Sequence, residues 1–373
     1  MKIILVIILS YNCFTAAGAD VDRIWVNAKI NGKSVRLFWD TGASSPVVLY
    51  STAAQRLGLK VTPPDSNNHP GPGKVPYGKT EECELDFSGT VFRTPLYVDM
   101  DTRNWPEDGI LGWPAFSQYI LLLDLATNKW ECLTNFPIDL AAWTKLSLNT
   151  NSGCFAFETS HKKDKTSIVA VDTGSYYGVK FSPQKWRDWK MTHTNQPTTF
   201  TVYYTDASQH EMVTEQVWAK EISIGAIILT DVPIQKADDV DVTGNSSPQT
   251  EYEATLGLAA LKRMEMIIDR GQGVVYLKPR RTPPLPYQHN RLGAVFVPSH
   301  LQSGDMIAHV ADGSPAYEAG IRNGDILLNP QNAESFIEQP AGTKIEFTLK
   351  RGDKNFTATA VLRNIIPPDS ARN

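Results

Sequence analysis

An Asp-Thr-Gly turn occurs twice in this chain, each time at the end of an apolar run and each time followed by a small residue. The copies are Phe38-Trp39-Asp40-Thr41-Gly42-Ala43-Ser44 and Ala170-Val171-Asp172-Thr173-Gly174-Ser175. Val35, Leu37 and Trp39 precede the first turn, and Ile168, Val169 and Val171 precede the second, so each Asp stands at the end of a buried strand. The glycine after it lets another backbone come close. One such turn arises by chance in roughly one chain in a hundred of this length. Two in equivalent surroundings point to a doubled unit whose carboxylates can meet. Two carboxylates about 3 Å apart cannot both ionise and share a proton. One is then a base for water and the other an acid for a leaving amine.

The surroundings repeat as well. Asn31-Gly32 joins two alternating strands before the first turn. Pro46 to Leu49 then reads as a strand, and Ser51 to Gly58 as a short capped helix stopped by glycine. Residues 62–79, rich in Pro and Gly, read as a loop or as a flap over a cleft. Ile110-Leu111-Gly112 and the pair Tyr119–Leu125 and Lys129–Cys132 close the first copy. The second runs in the same order. A strand at Gly178–Phe181 precedes a helix at Ser182–Trp189, with Ser182 as its cap and Pro183 at its first position. Tyr203-Tyr204 lies at the flap position, Ile222–Leu229 reads as one strand, and Leu256-Gly257 leads to a closing hairpin at Met266–Leu277. The second copy is longer, with its insertion placed around Asp238 to Gln249.

The remaining divisions follow from composition. Lys2, the apolar run Ile3–Leu9 and Ala17-Gly18-Ala19 form a secretory signal peptide over residues 1–19, so export to a periplasm or the extracellular space is expected. No later stretch is apolar enough for a membrane span. The two copies occupy 20–140 and 141–278, a proline-rich linker 279–288, and a third module 289–366. A formal net charge of -4 leaves no footprint for nucleic acid. Seven histidines without metal-ligand spacing leave no metal, and no cofactor is expected. Cys83, Cys132 and Cys154 follow the leader, an odd count that permits one disulfide; Cys132 with Cys154 is one pairing.

The two turns, each paired downstream with an apolar pair and Gly, resemble the retropepsin-like aspartic proteases, here with two copies fused as in the pepsin-like bilobal enzymes. The resemblance spans residues 22–278 and implies a mainly β fold of two pseudo-symmetric lobes with the active site between them. It implies that Asp40 and Asp172 are the catalytic dyad. Thr41, Gly42, Ala43, Thr173, Gly174 and Ser175 form the turns that hold them. Tyr77 and Gly78 are flap candidates, as are Tyr203 and Tyr204. Ser175 can donate to the outer oxygen of Asp172 whereas Ala43 carries no donor, so the shared proton is expected to rest on Asp40.

The third module, with Gly313-Ser314-Pro315-Ala316, Ala319-Gly320-Ile321 and Asn323-Gly324-Asp325-Ile326-Leu327, resembles a PDZ domain of the bacterial protease-associated kind, a small α+β fold. Leu292, Gly293, Ala294 and Val295 match the loop that in that family takes a peptide's C-terminal carboxylate on backbone amides. The stretch from Leu328 to Pro340 is short for the strand and helix of a full domain, so the module either binds a C-terminal peptide or packs against the lobes. The expectation is a monomeric aspartic endopeptidase acting on peptides or proteins. The rival is an inactive scaffold with the same β architecture.

Overall fold

The computed structural model describes residues 23–64, 77–87, 90–100, 106–116, 119–127, 129–133, 135–136, 139–149, 154–162, 165–204, 211–237, 250–280, 287–298, 305–329 and 339–367. The expected leader, the expected insertion around 238–249, most of the expected flap segment and most of the expected linker lie outside them.

The first lobe is built from β1 (Trp25–Ile30), β2 (Lys33–Asp40), β3 (Val47–Tyr50), β4 (Val61–Thr62), β5 (Tyr77–Phe87), β6 (Thr90–Asp99) and β7 (Gly109–Gly112). Helix α1 (Ser51–Leu57) follows β3. β8 (Ile120–Asp124), β9 (Lys129–Leu133) and β10 (Thr144–Ser147) lead out of it. The second lobe holds β11 (Ala156–Lys162), β12 (Lys165–Val171), β13 (Val179–Phe181), β14 (Thr198–Tyr204), β15 (Glu211–Ile224), β16 (Ile227–Lys236) and β17 (Thr250–Leu256). Its helix α2 (Pro183–Thr192) follows β13, and the short helix α3 (Leu258–Leu261) leads to β18 (Met264–Asp269) and β19 (Val274–Pro279).

The duplication extends to strand order, although among the described residues β1 pairs additionally with β5 in the first sheet alone. One sheet runs β1-β2-β7-β3-β6-β5-β4 and the other β11-β12-β17-β13-β16-β15-β14, so every strand has its counterpart at the same place. In each lobe the strand carrying the Asp-Thr-Gly turn pairs in parallel with the strand ending in apolar residues and Gly, β2 with β7 and β12 with β17. Parallel neighbours need a long crossover, which is why these partners stand so far apart in sequence. The closing hairpins merge: β18 pairs antiparallel with β8, giving a shared sheet β10-β19-β18-β8-β9. Arg280 at the end of β19 bridges to Asp124 at the end of β8. A single apolar core runs through both lobes, from Trp39, Trp130 and Phe116 to Phe155, Phe157 and Val171.

Several local expectations hold. Asn31 and Gly32 both adopt positive φ, 49° and 77°, as the two-residue hairpin turn demands. Gly58 ends α1 in the left-handed region. Ser182 caps α2 through Lys185 N, at 3.3 Å, and the helix continues to Thr192. Others need correction. Tyr50 rather than a serine is the N-cap of α1, and it makes no side-chain cap bond. The apolar run Ile222–Leu229 is two strands, because Gly225 at φ 56° turns the chain and Ile224 faces Ile227 across the hairpin. The inward positions pass from 222 and 224 to 227 and 229, a one-residue shift in phase that the unbroken apolar stretch Ala226–Leu229 conceals. Cys132 is a free thiol, so the Cys132–Cys154 disulfide does not form. Burial pushes the Cys132 thiol up to about 11.

The third module forms a separate antiparallel sheet of β20 (Ala294–Pro298), β21 (Met306–Val310), β22 (Ile326–Leu327), β23 (Lys344–Arg351) and β24 (Lys354–Val361). Its one-turn helix α4 (Pro315–Glu318) is capped by Ser314, and its core centres on Phe296, Phe347 and Leu349. It sits against the second lobe through a small cluster of Trp218, Ala259, Tyr287, Ile365 and Ile366. Among the described residues no helix is long and apolar enough to cross a membrane.

Candidate active site

Both Asp-Thr-Gly turns meet at the junction of the lobes, because the buried strands β2 and β12 end there side by side. The threonines tie them together. Thr41 N donates to Thr173 Oγ1 at 3.0 Å, and Thr173 N donates to Thr41 Oγ1 at 3.0 Å. Each hydroxyl then donates across the junction to the strand beneath the opposite turn. Thr41 Oγ1 reaches Val171 O at 2.7 Å, and Thr173 Oγ1 reaches Trp39 O at 2.8 Å. Both threonines are fully buried, so these four bonds form without competing water. Phe155 N adds a fifth link, to Thr41 O at 3.1 Å.

The glycines explain why nothing larger follows the threonine. A Cβ on Gly174 would stand 2.6 Å from Asp40 Cγ and within 2.9 Å of both its carboxylate oxygens. A Cβ on Gly42 would stand 3.0 Å from Asp40 Oδ1 and 3.3 Å from Asp172 Oδ1. One point therefore lies against both carboxylates, and each acid packs against the glycine of the other turn. Each inner oxygen is also held from its own side. Gly42 N donates to Asp40 Oδ1 at 2.8 Å and Gly174 N to Asp172 Oδ1 at 3.0 Å. Both side chains are only partly buried, which leaves them open to a reactant.

Behind the turns, Gly112 and Gly257 do equivalent work. A Cβ on Gly112 would lie 2.0 Å from Ser45 O and 2.9 Å from Ala43 O; on Gly257 it would lie 2.4 Å from Tyr177 O and 2.9 Å from Ser175 O. The apolar-Gly pattern thus serves close backbone contact beneath each turn. Gly112 N bonds Pro46 O at 2.9 Å and Gly257 N bonds Gly178 O at 2.8 Å, again in matching places.

Two hydroxyls reach the outer oxygen of Asp172. Ser175 Oγ donates to Asp172 Oδ2 at 2.5 Å, as the residue order suggests. Tyr177 OH donates to the same oxygen at 3.2 Å. Tyr177 escaped the sequence reading, although aligning the copies would have exposed it: the residue five places after Asp40 is Ser45, and five after Asp172 is Tyr177. On the first lobe, Tyr50 lies near Asp40, and its hydroxyl is pushed above the ordinary range. Burial is the main cause, followed by the carboxylates of Glu107, Asp99 and Asp40, against the opposing pull of Arg23.

The flap candidates are less informative. Tyr77 is exposed at the start of β5, edge-on to Tyr97 with ring centres 6.5 Å apart, and Gly78 packs against Val61 of β4. The segment before them, 65–76, lies outside the described residues. Tyr203 and Tyr204 close β14, paired with Met212 and Glu211. The loop Leu292–Val295 of the third module is buried. Leu292 N and Gly293 N both donate to Asn290 Oδ1, at 3.0 Å and 3.2 Å. Among the described residues, no cluster of three or more His, Cys, Asp and Glu is placed to hold a metal.

Comparison with known proteins gives a partial match. Residues 26–115, which carry the first turn and β7, match the family model described as aspartyl protease. Among solved structures, the chain is similar to the aspartic proteinase from Irpex lacteus at a TM-score of 0.43 and 14% identity, covering 70% of this chain and 95% of that one. No curated protein sequence matches.

Proposed function

We propose that the protein is an exported aspartic endopeptidase that hydrolyses peptide bonds with Asp40 and Asp172 as its dyad. The observation that carries this reading is the reciprocal packing of each carboxylate over the glycine of the opposite turn, a geometry that serves proton sharing and costs both turns any side chain. In the proposed reaction, ionised Asp172 takes a proton from a water held between the two acids. The resulting hydroxide bonds to the carbonyl carbon, the C–N bond breaks, and Asp40 gives its proton to the departing nitrogen. Asp40 is then ionised and Asp172 protonated, and transfer across the dyad restores the starting state. No covalent enzyme intermediate is needed.

Incubation with a mixed peptide library from about pH 3 to about pH 8 tests the reading. Cleavage with an acidic or neutral optimum that pepstatin abolishes is the expected outcome. Intact peptides at every pH would support the rival scaffold.

The third module is proposed to be a docked part of the second lobe. Asn290, itself buried, supports this: Nδ2 donates to Phe200 O of β14 and to Ala294 O, at 3.2 Å and 2.7 Å, while Oδ1 accepts the Leu292 and Gly293 amides. Thr199 Oγ1 returns a bond to Asn290 O at 2.7 Å. His289 adds Ile365 N to its Nε2, at 3.2 Å. The amides that would take a peptide carboxylate are thus satisfied internally, and peptide binding there would require displacement of Asn290. Asn290→Ala strands two buried amides and is expected to cost about 2 kcal/mol in thermal unfolding. An unchanged midpoint would show that the docking contributes nothing.

A further inference from the structure

Tyr177 is not explained by the duplicated machinery, since the first copy has Ser45 in its place. Its ring is nonetheless held firmly. The residue is buried, its carbonyl accepts Ala259 N at 3.0 Å, and the missing side chain of Gly257 leaves the space its ring fills, since a Cβ there would lie 2.8 Å from Tyr177 Cδ2. The ammonium of Lys180, a buried residue, stands 4.8 Å from the ring centre. A cation over the ring draws electron density from it and strengthens the phenol as a donor. That donor is aimed at Asp172 Oδ2, which already accepts Ser175 Oγ.

We propose that Tyr177 is a positioning residue of the dyad: with Ser175 it holds the negative charge on Asp172 and so keeps the shared proton on Asp40. The inference rests on the reading of Asp40 and Asp172 as the catalytic pair. Two hydroxyl donors on one oxygen stabilise the ionised form, which needs acceptors only, over the protonated form, whose own hydrogen competes for the same space. Ala43, at the place of Ser175 in the first copy, has no side-chain hydroxyl. Asp40 lies across the junction from Asp172, and the Lys180 ammonium stands over the Tyr177 ring. The Tyr50 hydroxyl, held above its ordinary range by burial first and by nearby carboxylates, adds no charge.

The test compares pH–rate profiles of the wild type, Tyr177→Phe, Ser175→Ala and the double variant. Removing a donor to the charged form makes protonation easier. The acid limb of kcat/KM is therefore expected to move to higher pH, by about one unit for Tyr177→Phe and further in the double variant. The plateau at neutral pH should fall far less. A uniformly lowered plateau with an unmoved limb would make Tyr177 a packing residue and overturn the proposal.

A second measurement is independent of catalysis. The stability cost of Tyr177→Phe is determined by denaturant unfolding near pH 3 and near pH 7, with Asp172 present and in the Asp172→Asn background. The expected cost is largest at neutral pH and shrinks both in acid and with Asp172→Asn, because a neutral carboxyl or amide oxygen accepts more weakly than a carboxylate. Equal costs in all four conditions would overturn the proposal while leaving the hydrolase reading intact. A wild type that cleaves no peptide, combined with the expected coupling, would remove the hydrolase reading and leave the Tyr177–Asp172 bond established.

Discussion

Asp40→Asn is expected to lower peptide hydrolysis by about 10³-fold or more while the protein folds and binds pepstatin-like ligands in the same cleft. An amide of the same shape keeps the acceptor for Gly42 N, which bonds Asp40 Oδ1 at 2.8 Å. It cannot carry the shared proton, so the leaving nitrogen loses its acid. Asp172→Asn should cost as much, because water then loses its base. The double variant should be little worse than either single change, since the two acids act as one unit. The measurement is kcat/KM for a peptide identified from the library, together with near-ultraviolet circular dichroism to show that the fold persists. Full activity in either single variant would end the two-carboxylate account.

Thr41→Val is expected to destabilise the protein by about 3 kcal/mol and to abolish most of the activity. Valine fills the same volume but removes the hydroxyl that donates to Val171 O and accepts Thr173 N. Both groups are then buried without their partner at the centre of the junction. Thr41→Ser keeps the hydroxyl and should recover most of both properties, which separates the lost hydrogen bonds from any effect of packing. Thr173→Val should behave alike, because its hydroxyl joins Trp39 O to Thr41 N in the mirrored arrangement. Denaturant unfolding and kcat on the same samples provide the check. A stable, active Thr41→Val would mean that the turns are held by the surrounding core alone. Both threonines are fully buried beneath the turns, so their effect on rate comes through the alignment of the two carboxylates.

Much of the architecture was legible from residue order. The repeated Asp-Thr-Gly turn, the apolar-Gly partner and the shared helix positions signal a doubled β unit, and the matching sheet orders follow from it. Local chemistry carries such signals: Gly58 ends a helix, Ser182 starts one, and Asn31-Gly32 turns a hairpin, each through its own backbone or side chain. The reversal at Gly225 was hidden because Ala226, Ile227, Ile228 and Leu229 are all apolar and mask the change of phase across the turn.

The sequence by itself determined that this chain is two similar β lobes, each offering one carboxylate at a strand end, because strand periodicity and turn chemistry are short-range properties. Only the tertiary structure decided that the threonines cross over to the opposite strands, that Tyr177 reaches the same oxygen as Ser175, and that Asn290 occupies the amides of the third module. Those contacts join residues from five to 134 positions apart, and Asn290 to its near neighbours, through the direction in which side chains point once the lobes have packed. No local preference encodes that direction. It is fixed by the common core under the two turns, where Trp39 and Val171 are both fully buried.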